Sequence, residues 1–103
     1  MYKEGDVLVL YNNWRAEYCI FILHRIYNDD WIEAHAKYSL PFKKLGVGAN
    51  NASTNVKYST GCLRKADEDE REFLLEKMKE KGYSYDFKKN KLIHSFNYEK
   101  GRN

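Results

Sequence analysis

The tightest constraint on this chain lies in its first 39 residues, where three β-rich runs follow one another with only turn-forming clusters between them. Residues 6–11 form a short run of Val and Leu ending in Tyr11, opened by a Gly-Asp turn and followed by Asn12-Asn13. Residues 17–27 are dominated by β-branched and aromatic side chains and read as a long central strand. After the turn cluster Asn28-Asp29-Asp30, residues 31–38 alternate, with Trp31, Glu33, His35 and Lys37 on one face and Ile32, Ala34, Ala36 and Tyr38 on the other. The second set is expected to face the core. Three antiparallel strands joined by tight turns are the opening meander of a small SH3-like or OB-like barrel, and a further strand must close it.

Residues 39–61 break the pattern. Pro41 interrupts the strand, Lys43-Lys44 adds charge, and residues 46–53 are small. They read as a long flexible loop, most open over about 39–55, either functional or a tolerated insertion. Val56 to Tyr58 and Cys62 to Arg64 then read as one interrupted strand returning to the sheet. A helix over about 68–81 is the best-determined element. Asp67 stands as N-cap with Glu70 three residues on, acidic side chains load the first turn, Lys77, Lys79 and Lys81 fill the last, and Gly82 follows as the C′ residue. Its apolar stripe is Phe73, Leu74 and Met78, with Leu75 at the margin. Tyr83, Tyr85 and Phe87 alternate as a strand, Lys88-Lys89-Asn90 turns, and residues 91–96 return. The expected fold is therefore α+β: a small antiparallel β-sheet or SH3-like partial barrel, one packed helix in the C-terminal half, then a β-hairpin. It makes one domain over 1–96, with a basic tail at 97–103.

Composition sets the class but not the activity. An aromatic content of 16% with one Pro and six Gly in 103 residues argues against disorder. Eighteen Lys and Arg against fifteen Asp and Glu give a net charge of +3. That neither demands nor forbids a phosphate partner. Residues 1–61 are nearly balanced, whereas 88–103 carry five basic groups against Glu99 alone. The excess reads as a solvated hairpin and tail, or as a phosphate-contacting patch. Cys19 and Cys62 have no second Cys or His at metal-ligand spacing and read as buried thiols in a reducing compartment, although one disulfide between them is open. With no signal-like opening and a longest apolar run of only residues 18–23, the expected address is the cytoplasm, with no membrane partner.

Catalysis needs convergent groups, and the three histidines, His24, His35 and His94, are scattered. No HxH, HxxxH or CxxC spacing organises a pair, so the sequence predicts neither metal, cofactor nor enzymatic activity. The acidic run from Asp67 to Glu72 reads as helix capping, and Gly46-Val47-Gly48 as flexible loop rather than a phosphate cradle. Aromatic residues are in surplus for a small core, and small barrels use such side chains to stack bases or grip peptides. Trp14, Trp31, His35, Lys37 and Tyr85 are the candidate contact residues, with a strip of Trp31, His35 and Lys37 foremost. Lys43, Lys44, Lys88, Lys89 and Lys91 are the candidate phosphate contacts.

The opening from Tyr2 to Val9, and the stretch from Leu63 to Glu70 leading through the helix to Lys81-Gly82-Tyr83-Ser84-Tyr85-Asp86, resemble uncharacterised small proteins of bacteriophages and prophages in gut bacteria. Those carry an "Arg-x-Ala-Thr-x-x-Glu, helix, Lys-Gly-Tyr-x-Trp" pattern. Here Asp67 replaces the Thr and Tyr85 the Trp. The resemblance covers the last forty residues most clearly and implies phage or mobile-element origin, hence a host cytoplasm, and carries over no catalytic residue. The leading expectation is a non-enzymatic, phage-related interaction module for a host or phage protein. The alternative is a nucleic-acid binder using the lysines and aromatics, and a third reading is a small hydrolase or ligand sponge with its pocket under residues 39–61. A homodimer is also expected, since sheet edges and spare aromatics need cover.

Overall fold

In the computed structural model, residues 2–12, 17–26, 31–48, 52, 54–55 and 62–94 are described. The predicted meander is present: β1 (Val7–Asn12), β2 (Glu17–Ile26) and β3 (Trp31–Ser39) pair antiparallel in sequence order. Two further strands extend it to either side. β4 (Lys44–Val47) pairs with the outer edge of β3, and β6 (Cys62–Lys65) returns to β1, giving the order β4-β3-β2-β1-β6. The two-residue β5 (Thr54–Asn55) pairs with the start of β3, at Trp31 and Ile32. Residues 39–61 are thus not one open loop. Lys44 to Val47, including Gly46, is a ladder strand, because after Pro41 the chain turns back through Lys43 at φ +52° and finds the edge of β3. Residues 56–61 and 95–103, the latter holding the expected basic tail, lie outside the described residues.

Both faces of this sheet are buried, which explains why β1 and β2 read as near-continuous apolar runs rather than alternating ones. One core joins Val7, Val9, Ile20, Ile22, Ala36 and Tyr38 to Leu74, Met78 and Tyr85. The other joins Leu8, Leu10, Phe21, Leu23, Ile32 and Ala34, with Ala52 against them. Fully burying side chains of this size contributes about 1.5–3 kcal/mol each. Two clusters on opposite faces therefore make the middle strands the most strongly held part of the fold.

Helix α1 (Glu68–Glu80) covers the first of these cores. Its start is fixed by a complete capping box: the Glu70 backbone N–H donates to Asp67 Oδ1 at 2.8 Å, and the Asp67 backbone N–H donates to Glu70 Oε1 at 2.9 Å. Glu70 does more than cap. Arg64 of β6 donates to both its oxygens at 2.8 Å, and the Tyr18 hydroxyl of β2 donates to Oε2 at 2.7 Å. One carboxylate thereby fixes the helix N-terminus to two strands. These donors hold Glu70 at about 2 against an ordinary 4.5, the Arg64 pair being the largest cause. At the far end Gly82 takes φ +87° and its N–H donates to Lys79 O, so the chain leaves the helix directly into β7 (Tyr83–Asp86). β7 pairs with β8 (Lys91–His94) as a separate hairpin sheet. The result is the expected small α+β fold with a packed helix and a β-hairpin. No helix among the described residues is long and apolar enough to cross a membrane.

Candidate functional site

The two strands at the centre of the sheet do not pair evenly. Their register runs Ile22 to Ala36, then Leu23 to Ala34, then Arg25 to Glu33. His35 on β3 and His24 on β2 are the residues it passes over. Each is the extra residue of a β-bulge, a device that bends a strand and re-aims a side chain. The alternation of β3 consequently reverses at His35. Ala36 and Tyr38 pack under the helix, whereas Ile32 and Ala34 pack in the opposite core. The sequence places those four on one face. All four are buried, but the bulge divides them.

The bulges turn both imidazoles toward Glu4. His24 Nδ1 lies 2.8 Å and His35 Nε2 lies 2.9 Å from the same Glu4 Oε2, with the two rings 4.4 Å apart. Glu4 reaches this place from the segment before β1. The Gly5 N–H donates to Leu23 O, and Asp6 O accepts from the Leu23 N–H, both at 2.9 Å, so the backbone next to Glu4 is pinned beside the bulge. Gly5 has φ +93°, and a Cβ there would collide with the Asn90 side chain in the β7–β8 turn. Glycine is therefore favoured at this approach, and a larger residue there is strained. Hydrogen bonds from His35 and then His24 hold the Glu4 carboxyl below its ordinary range. Around the cluster, Glu33 Oε1 stands 3.9 Å from His24 Nε2 and 3.0 Å from Arg25 Nε. The Tyr85 ring packs 4.9 Å from His35, and burial pushes the Tyr85 phenol up to about 12.

A second feature lies between β3, β4 and the end of α1. It is a groove of about 880 Å³ whose lining includes Lys37, Lys43, Lys44, Lys81, Phe42 and Tyr83 and, among the described residues, no carboxylate. Phe42 is 78% exposed, the largest exposure among the large apolar side chains described. Lys81 enters as the helix C-cap and Tyr83 as the first residue of β7, so the end of the helix and the hairpin sheet both contribute to the lining.

The residues singled out from sequence fall in different places. Lys37, Lys43 and Lys44 meet in the groove. Lys88 and Lys89 sit in the hairpin turn, where both backbone N–H groups donate to Asp86 Oδ1, and Lys91 opens β8; none of these three lines the groove. Tyr85 is buried rather than presented, held between His35 and Phe87. Trp31 is exposed at the far end of β3 beside Asn55. The strip of Trp31, His35 and Lys37 does not form, because the bulge at His35 places Lys37, opposite Phe21, on the other face from Trp31. Trp14 lies outside the described residues. Sequence reading missed Glu4, Phe42 and Lys81. The positive-φ glycine after Glu4 was the one local signal for the first, and the others gather only through tertiary packing.

Comparison of the chain with protein-family models, with curated proteins and with solved structures finds no match in any of the three.

Proposed function

We propose that this protein is a non-enzymatic binding module that holds a single-stranded nucleic acid in the groove between β4 and the end of α1. The observation that carries the reading is the lining: four lysines, three aromatic side chains (Tyr18, Phe42 and Tyr83) and no carboxylate in one concave surface of the described residues. Lysines gathered in one groove can neutralise phosphates, and an exposed aromatic ring offers a stacking platform that tolerates any base. Lys43 and Lys44 are the principal phosphate contacts, with Lys37 and Lys81 flanking them, and Phe42 is the stacking residue. The hairpin lysines belong to a different surface and play no part. A phage or mobile-element origin, which the sequence resemblance implies, is part of this proposal and places the module in a host cytoplasm.

A protein partner is the competing reading, favoured by the place of β4 as the last strand in the sheet order β4-β3-β2-β1-β6. Fluorescence anisotropy with a labelled oligonucleotide separates the two. For three to four phosphate contacts, the log of affinity should fall with the log of salt at a slope of about −2 to −3. The double substitution Lys43→Glu and Lys44→Glu should abolish binding, and Phe42→Ala should weaken it, while Lys88→Glu leaves it unchanged. Affinity that is flat with salt, or indifferent to Lys43 and Lys44, overturns the proposal. A protein recovered from lysate after nuclease treatment that is lost on substituting β4 residues would put the competing reading in its place.

A further inference from the structure

We propose that Glu4, His24 and His35 form a binding site for a divalent transition cation of the zinc type. The site is separate from the groove and does not rest on the nucleic-acid reading. Three donor atoms of the right chemistry, Glu4 Oε2, His24 Nδ1 and His35 Nε2, all lie within 4.8 Å of one another. Two imidazoles and one carboxylate are a donor set suited to zinc and its neighbours in the first transition row rather than to calcium or magnesium, which take oxygen ligands. The spacing fits as well. A metal with bonds of about 2.1 Å holds adjacent ligand atoms roughly 3.0 Å apart in an octahedron and about 3.4 Å apart in a tetrahedron. The two carboxylate-to-imidazole separations are 2.8 and 2.9 Å. At these two pairs a cation therefore enters by moving the donors apart by roughly 0.1–0.2 Å for octahedral or 0.5–0.6 Å for tetrahedral geometry, and the two imidazole nitrogens lie within 4.8 Å of each other.

The cluster is also built, not incidental. Both histidines are the surplus residues of bulges in the two central strands, and Glu4 is brought to them by a glycine at φ +93° where a larger residue is strained and meets the Asn90 side chain. The same donors can instead make two hydrogen bonds to one oxygen, and the cation replaces that arrangement. In each neutral ring the proton facing Glu4 passes to the ring's other nitrogen, and for His24 that nitrogen faces Glu33 Oε1 at 3.9 Å. At that distance the Glu33 carboxylate is a nearby negative charge rather than a hydrogen-bond partner, and it favours the proton on that side of the ring. The Tyr85 ring holds the orientation of His35. The side chains of Glu4 and His24 are 37% and 33% exposed, so the cation has an entry path and keeps coordination positions open to water or a further ligand.

The test is titration of tag-free protein with zinc alone against a chromogenic chelator, repeated with cobalt for its visible absorption. One equivalent per chain is expected. Glu4→Gln and His24→Gln should each weaken binding at least tenfold, and His94→Gln should leave it unchanged. Circular dichroism confirms that the variants fold. Nitrogen-detected histidine NMR of the unaltered protein gives a second reading that no variant's folding affects: zinc should shift His24 at Nδ1 and His35 at Nε2. No uptake by the unaltered protein, uptake that survives both substitutions, or shifts at the opposite nitrogens or at His94 would overturn the site.

Discussion

His24 and His35 stand with ring centroids 4.4 Å apart although ten residues lie between them and neither is paired in the β2–β3 ladder. A regular ladder here would leave adjacent side chains alternating between two buried faces. Two polar rings would then compete for core positions that Leu23, Ala34 and Ala36 occupy. One bulge on each strand removes both histidines from that alternation and turns them to the Glu4 side. The polar cluster and the continuous double core are thus two results of the same irregularity.

The position of Glu4 depends on Gly5. Gly5→Ala introduces a residue at φ +93° and a Cβ against Asn90 Oδ1. The expected loss is about 1–3 kcal/mol in urea unfolding, part from the backbone conformation and part from the collision. Asn90 itself has φ +52°, so Asn90→Gly removes the obstructing side chain without straining the turn. In that background Gly5→Ala should cost only the conformational part, about 1 kcal/mol. Equal losses in both backgrounds would show that the contact is not the cause.

How far the sequence could be read follows from what each feature depends on. The strands β1 to β3, the capped helix and the final hairpin rest on local patterning, and residues such as Asp67, Glu70 and Gly82 take the roles their spacing predicts. β4 was hidden because Lys44 to Val47 is short and contains glycine, and it becomes a strand only by pairing with β3. The bulges were hidden for a different reason. Trp31 to Tyr38 alternates perfectly in sequence, and the reversal at His35 arises from the partner strand and the second core beneath it. A site assembled from Glu4, His24 and His35 leaves no spacing signature, since three separate segments contribute one residue each.

The helix stripe separates into unequal parts. Leu74 and Met78 are fully buried, whereas Phe73 is 36% exposed and meets Tyr38 edge to face at 5.3 Å between centroids. Leu74→Ala is expected to destabilise by about 2–5 kcal/mol through the cavity it leaves. Phe73→Ala removes one aromatic pair and partial burial, for about 1 kcal/mol. Chemical denaturation of both variants checks the order, and a larger effect at Phe73 would mean that the helix is rotated about its axis.

Glu70 gives the fold a defined acid dependence. Its carboxyl is lowered from 4.5 to about 2 chiefly by Arg64, with the Tyr18 hydroxyl and the Asp67 N–H adding to it. Below 4.5 the unfolded chain takes up a proton at this residue that the folded chain still refuses. The stabilisation is therefore fully present above 4.5 and is lost progressively as pH falls toward 2. Glu70→Gln can still accept from the Asp67 N–H but cannot carry the charge that Arg64 and Tyr18 address. At neutral pH it should be less stable by about 1 kcal/mol, a modest figure because the Arg64 side chain is half exposed and the pair is screened by solvent. Thermal unfolding of both proteins from pH 7 downward isolates the effect, since every other carboxylate titrates in both. The two stability curves should converge as pH falls through this window, and added salt should narrow the gap at neutral pH. Curves that stay parallel would mean that the charge of Glu70 does not hold the helix to the sheet.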